Sequence, residues 1–97
     1  MHPNGNVYHI QVNWNTLWKN ALMIQHLENG TEQCDRFHVN TNGTIDVGLM
    51  QINSVHLKNG VSLSDLVDCH KNVDIAYALY KKQGWGIWVT AKQIGLK

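Results

Sequence analysis

Residues 42–53 carry the sequence NGTIDVGLMQIN, in which a turn signal runs directly into a compact apolar segment. An Asn-Gly pair is typical of the tight turn of a β-hairpin, and the flanking threonines support a turn over residues 41–44. The apolar residues at 47–52 have the composition of a buried segment. We therefore expect a small β-hairpin, with Asp46 in its polar, turn-rich part, where a carboxyl group stays ionised.

A second carboxyl group closes the apolar segment that precedes this hairpin. The pattern turns helical at Asn13 or Asn15, either of which could cap the helix, and Gly30 fits its end. Because the opposite side is also apolar, at Leu22, Met23 and Leu27, the pattern predicts a central, buried helix. Its main face is formed by residues that recur at three- and four-residue steps: Trp14, Leu17, Trp18, Ala21, Ile24 and Glu28.

Glu28 is thus predicted to be the last member of a buried stripe. Burial favours the neutral form of a carboxyl group, so Glu28 and Asp46 are expected to differ in pKa. A protonated and an ionised carboxyl group together supply the acid and the base or nucleophile that cleave a glycosidic bond. The alternative is a surface glutamate on the frayed last turn of the helix.

The rest of the chain predicts a mainly helical α+β domain with one small β-hairpin. Residues 1–12 read as an N-terminal arm, in which the alternation at residues 7–12 suggests an extended segment, and residues 13–97 read as one domain. A short helix is expected after Asn53, ending at residues 59–60, and a capping box at residues 62–65 opens another. Residues 72–74 would cap a last helix from Ile75 to Gln83, which Gly84 ends.

Composition argues against several classes of function. The 97 residues are 43% hydrophobic and 15% charged, with a formal net charge of +1, which gives no electrostatic case for binding nucleic acid. No apolar stretch reaches the roughly 18 residues that a membrane span requires. The first residues lack the features of a secretory signal, so export would be handled elsewhere or after removal of a signal.

The six histidines are dispersed without metal-site spacing, and we expect no metal and no cofactor.

The two cysteines, Cys34 and Cys69, are too far apart for a CxxC motif. A disulfide between them would close a loop of about 35 residues and stabilise the fold by about 3–4 kcal/mol in the chain-entropy model. Two reduced, buried thiols are the alternative.

Residues 42–53 resemble the signature shared by animal-type (c-type) lysozymes and soluble lytic transglycosylases. In those families a catalytic glutamate lies at a helix end some eighteen to twenty residues before the Gly-x-x-Gln-Ile-Asn core, where this chain has Glu28 in His-Leu-Glu-Asn-Gly. Residues 72–80 and the following Gly-Trp-Gly-Ile-Trp at 84–88 are similar to their C-terminal helix and its Gly-Trp-x-x-Trp end. The resemblance covers about residues 20–90 and implies a lysozyme-like fold.

By this resemblance Glu28 protonates the oxygen that leaves the sugar. Asp46 matches the position of the c-type nucleophile, although transglycosylase relatives also carry an aspartate there without that role. Gln51 and Asn53 would line the cleft and contact acetamido groups or orient the hairpin, or they reflect simple amphipathicity. Trp85 and Trp88 would stack on sugar faces, or they belong to the core.

Three features depart from these families. Asn29 follows the glutamate, where serine is usual, and no N-terminal helix is expected before the central one. Residues 89–92 read Val-Thr-Ala-Lys, where transglycosylases commonly carry a Tyr-Asn pair whose tyrosine helps the glutamate. With at most one disulfide, the chain resembles the bacterial or phage members more than the c-type proteins.

The resemblance implies a peptidoglycan-cleaving glycosidase that acts on the MurNAc-GlcNAc β-1,4 bond, as a lytic transglycosylase or as a muramidase. Its partner would be the glycan strands of peptidoglycan, it would act in the cell envelope, periplasmic or secreted, and it would be a monomer. The alternative is a non-catalytic module that binds peptidoglycan or serves in an assembly on the same fold.

Overall fold

The computed structural model describes residues 5–30 and 33–96, which form helices and a small antiparallel sheet. The α-helices are α1 (Gly5–Asn13), α2 (Trp18–Glu28), α3 (Leu63–Leu66), α4 (Cys69–Gln83) and α5 (Val89–Gln93). The strands are β1 (Phe37–Val39), β2 (Ile45–Val47) and β3 (Ile52–Asn53), and 3-10 helices cover Asn15–Leu17, Ser54–Asn59 and Gly84–Ile87. This confirms the predicted α+β class, with a third strand added to the expected hairpin.

Helix α1 replaces the extended arm that the alternating pattern predicts. Gly5–Asn13 is helical and contacts both α2 and α4, and Ile10 within it is fully buried in the core. The predicted extended conformation of residues 7–12 is therefore wrong, because packing of Ile10 outweighs the weak local alternation. The first four residues of the predicted arm lie outside the described residues.

Helix α2 is buried along one side only. Ala21 and Ile24 are fully buried, as the periodicity predicts, but the side chains of Met23 and Leu27 are 49% and 47% exposed. The prediction of a helix that is buried all round is therefore wrong. The predicted caps at Asn13 or Asn15 are wrong as well, because the helix begins at Trp18 and no asparagine side chain caps it, whereas its end at Glu28, just before Gly30, agrees with the prediction.

The predicted hairpin is confirmed and extended. β1 pairs with β2 and β2 with β3, both antiparallel, in the order β1-β2-β3. The turn is held by the Asn42 side-chain oxygen, which accepts hydrogen bonds from the backbone N–H and the hydroxyl of Thr44. This register brings His38, Asp46 and Asn53 into one row across the sheet.

Asn72 joins helix α4 to the sheet. Its Oδ1 accepts from the Met50 backbone N–H at 2.7 Å, and its Nδ2 donates to the carbonyl oxygens of Val47 at 3.0 Å and Leu66 at 2.8 Å. The prediction that residues 72–74 cap this helix is wrong, because α4 begins at Cys69 and is capped by Asp68, whose side chain accepts from the Lys71 N–H. Asn72 is instead fully buried within the helix.

Three local signals in the second half of the chain are confirmed. The 3-10 helix after Asn53 ends at Asn59 with Gly60 as its C-cap, the capping box of Ser62 and Asp65 opens α3, and α4 ends at Gln83 with Gly84 as its C-cap. Cys34 and Cys69 form a disulfide, which joins the segment after α2 to the first residue of α4. The segment that leads from α2 into the sheet is thereby tied to the helical half of the domain.

An aromatic cluster lies at the centre of the helical part. The rings of Trp14 and Trp85 stack with centroids 5.6 Å apart, and Tyr77, Tyr80 and Trp88 pack around Trp14. This cluster connects the chain before α2 to α4 and to the start of α5. No helix within residues 5–30 and 33–96 has the length and apolar character required to cross a membrane.

Candidate active site

A cleft of about 860 Å³ lies where α2 ends, alongside the sheet and the first turn of α5. Glu28 and Asp46 both line it, as the sequence predicts for a pair of catalytic carboxyl groups. The row across the sheet contributes His38 and Asn53 as well, and α5 contributes Thr90. The fold therefore brings residues from five separate elements, α2, β1, β2, β3 and α5, to one cavity.

Glu28 is the last residue of α2 and is only partly exposed. Burial raises the pKa of its carboxyl group above the ordinary value, and the negative charge of Asp46 raises it further. The hydroxyl and the backbone N–H of Thr90 oppose this by hydrogen bonding to the carboxylate, and His38 opposes it by its positive charge. The net direction is upward, which favours the protonated form that a general acid needs.

Asn29 fixes the end of α2 against the hairpin. Its side chain is fully buried, and Nδ2 donates to the carbonyl oxygens of Gln33 at 2.8 Å and Gly48 at 3.1 Å. Its own carbonyl oxygen accepts from Gln25 Nε2 at 2.8 Å. Asn29 therefore has a structural role, because its amide reaches two carbonyl groups and ties Glu28 to the turn after Asp46.

Asp46 is held by its neighbour in the row across the sheet. Asn53 Nδ2 donates to Asp46 Oδ1 at 3.0 Å and to the Thr44 hydroxyl at 3.1 Å. The remaining amide oxygen of Asn53 accepts from the Val55 backbone N–H. Asn53 is therefore placed in the cleft as predicted, and its amide group orients Asp46.

Gln51 lines the cleft but turns its amide toward the backbone. Its Nε2 donates to the carbonyl oxygens of Gly48 at 2.8 Å and Arg36 at 3.3 Å, and the side chain is 5% exposed. Its backbone adopts a positive φ of 50°, which is uncommon for a residue other than glycine. Of the two predicted roles, these contacts match orientation of the hairpin.

The tryptophans are core residues. Trp85 is 6% exposed and does not line the cleft, so its predicted stacking on a sugar is wrong. Trp88 borders the cleft, but it is 2% exposed and its Nε1 donates to the Met50 carbonyl oxygen at 2.7 Å. Neither ring offers a free face, because both complete the aromatic cluster around Trp14.

Several residues that line the cleft were not predicted as site residues from the sequence, among them Thr90 and His38. Thr90 Oγ1 donates to Glu28 Oε2 at 2.9 Å, a contact between residues that are 62 positions apart. His38 lies opposite Asp46 in the β1–β2 register. The only sequence signals were the position of Thr90 just after the last tryptophan and the position of His38 within the predicted hairpin.

The polar side chains that line the cleft carry carboxyl, amide, hydroxyl and imidazole groups and, at Arg36, a guanidinium group. Among the residues that the structure describes, no three or more His, Cys, Asp or Glu side chains are grouped to hold a metal ion. A scan against models of known protein families and a search of curated protein sequences give no match to this chain. The cleft therefore holds two carboxyl groups, and the pKa of one of them, Glu28, is raised by burial.

The raised pKa of Glu28 makes the stability of the fold depend on pH. A carboxyl group whose pKa is higher in the folded chain than its unfolded value of 4.5 stabilises the fold below that pH, and this stabilisation is lost as the pH rises through the folded pKa. We therefore expect Glu28→Gln, which stays neutral, to melt at a higher temperature than the wild type at pH 7 and at a similar temperature near pH 4. Each kcal/mol corresponds to about 4–8 °C for a domain of this size.

Calorimetric melts between pH 3.5 and 8 would measure this difference, with Asp35→Asn as the control that removes the same charge from an exposed site. A Glu28→Gln variant that melts below the wild type at pH 7 would contradict the expectation.

Proposed function

We propose that this chain is a glycosidase of the lysozyme-like type that cleaves the β-1,4 bond between MurNAc and GlcNAc in peptidoglycan, with Glu28 as its general acid. The observation that carries the proposal is the placement of Glu28 and Asp46 in one cleft, with the pKa of Glu28 raised by burial and by the charge of Asp46. Glycosidic bonds are cleaved by such a pair, in which one carboxyl group is neutral and the other ionised.

The proposed reaction begins with transfer of the Glu28 proton to the glycosidic oxygen. The bond from this oxygen to the anomeric carbon breaks, and positive charge develops at that carbon. The Asp46 carboxylate, held in place by Asn53, supplies the negative charge that stabilises it. The Glu28 carboxylate then accepts a proton from the attacking group, which is water in a muramidase or the C6 hydroxyl of the same sugar in a transglycosylase.

The walls of the cleft suit a polyhydroxylated ligand. Side-chain amides and hydroxyls line it at Asn40, Thr41, Asn42 and Thr44, all near the hairpin turn. Such groups both donate and accept hydrogen bonds, as sugar hydroxyl and acetamido groups require. We extend the proposal to glycan strands of peptidoglycan as the partner, to action in the cell envelope, and to a monomer as the active form.

Mass spectrometry of the soluble fragments from purified peptidoglycan tests the proposal. The wild type should release muropeptides that Glu28→Gln does not release. Fragments that end in a 1,6-anhydro sugar would identify a lytic transglycosylase, and fragments heavier by one water would identify a muramidase. If the wild type releases no fragments but binds the polymer, the proposed activity is wrong and the chain is a binding or assembly module.

A further inference from the structure

Thr90 occupies a rigid position at the edge of the cleft. It lies in the first turn of α5, between Trp88, which is 2% exposed, and Ala91, which is fully buried. The Trp88 ring is fixed by its hydrogen bond to the Met50 carbonyl oxygen. The backbone at Thr90 is therefore held on both sides by the core, so that its hydroxyl meets Glu28 at a defined distance.

The contact engages one oxygen of the acid. Thr90 Oγ1 donates to Glu28 Oε2 at 2.9 Å. In neutral Glu28 the carbonyl-type oxygen is the better hydrogen-bond acceptor of the two, so donation from Thr90 to Oε2 favours the proton on the other oxygen, Oε1.

We propose that Thr90 is a positioning residue for the acid: its hydroxyl holds Glu28 Oε2 as an acceptor, so that the transferable proton resides on Oε1 and the carboxyl plane is fixed. This inference rests on the proposed function, because a fixed proton position matters only if Glu28 donates its proton. A defined orientation of the donor in the bound complex is a recognised source of rate enhancement.

The same hydrogen bond also sets how readily Glu28 loses its proton. Donation from Thr90 to the ionised carboxylate lowers the pKa of Glu28, against the effect of burial. Removal of the Thr90 hydroxyl therefore raises the pKa of Glu28 further. This shift would not be expected if Thr90 only filled space beside Glu28. The titration of Glu28 thus separates a positioning role from a merely structural one.

Thr90→Val and Thr90→Ser form the matched pair of variants. Valine keeps the shape of threonine without the hydroxyl, whereas serine keeps the hydroxyl without the methyl group. Titration of the Glu28 carboxyl carbon by NMR in 13C-labelled protein measures the pKa directly. The kcat and KM for release of muropeptides are measured in parallel, and Thr16→Val, at an exposed threonine outside the cleft, controls for the substitution itself.

We expect Thr90→Val to titrate at higher pH than the wild type and to lose about tenfold or more in kcat, with a smaller change in KM. Thr90→Ser should recover most of both properties. Products from the wild type together with an unshifted titration in Thr90→Val would overturn the inference alone, as would a Thr90→Ser variant that behaves like Thr90→Val. A wild type that releases no products would overturn the proposed function, and the catalytic role of Thr90 with it, whatever the titration gives.

Discussion

Under the proposed function, Glu28→Gln should lower the rate of glycan cleavage by about 10²–10⁴-fold, the usual contribution of a positioned general acid. Glutamine has nearly the same shape as protonated glutamic acid and can accept the Thr90 hydrogen bond through its amide oxygen. It has no proton that it can transfer to a leaving oxygen at neutral pH. The loss should therefore appear in kcat, because the sheet residues that line the cleft remain unchanged.

The matched control for this prediction is Asp35→Asn, which makes the same kind of change at an exposed carboxylate that does not line the cleft. Its rate of muropeptide release should equal that of the wild type. Circular dichroism of both variants establishes that each is folded before the rates are compared. Cleavage by Glu28→Gln at more than a tenth of the wild-type rate would rule out Glu28 as the acid.

Gly48→Ala should reduce the free energy of unfolding by about 4 kcal/mol or more, which is at the upper end for a single substitution. Gly48 has a positive φ of 84°, and a methyl group there would overlap the Leu66 carbonyl oxygen and the Asn72 side-chain amide. Both groups belong to the buried hydrogen-bond network that joins α4 to the sheet, so neither can move away without breaking it.

Gly43→Ala is the matched control, because Gly43 has a φ of 86° but no atom within 4 Å of the added methyl group. It isolates the backbone cost of a left-handed conformation, which is about 1–2 kcal/mol for alanine. Urea denaturation of the two variants measures the difference. If Gly43→Ala and Gly48→Ala reduced the free energy of unfolding equally, the close packing around Gly48 would not contribute to the effect of Gly48→Ala, and the prediction would be wrong.

The effect of Gly48→Ala should reach the candidate active site as well. The Gly48 carbonyl oxygen accepts hydrogen bonds from Asn29 and Gln51, and the bond from Asn29 ties the end of α2 to the hairpin. A shift of this turn would therefore change the separation of Glu28 and Asp46. We expect cleavage activity to fall in the fraction of Gly48→Ala that remains folded, whereas Gly43→Ala should retain it.

Turns, helix caps and helix ends, which depend on residues close together in the chain, could be predicted correctly from the sequence alone. The Asn-Gly pair predicted the position of the hairpin, the Ser62–Asp65 capping box predicted the start of α3, and Gly84 predicted the end of α4. The apolar spacing before Glu28 also placed that residue at the end of a helix with a buried face. These features depend on hydrogen bonds and φ preferences within one turn, so the local order of residues is sufficient to determine them.

Features that depend on packing between distant segments could not be predicted from the sequence. The helical state of α1 follows from burial of Ile10 against other helices. The Asn72 side chain is buried and hydrogen-bonded to the backbone of Met50 and Val47, because these residues lie beside it in the folded chain. The contact of Thr90 with Glu28 likewise has no local signal. Each of these arises because a polar or apolar group must find its partner in the folded core, and the tertiary structure alone decides which distant residue is close enough to be that partner.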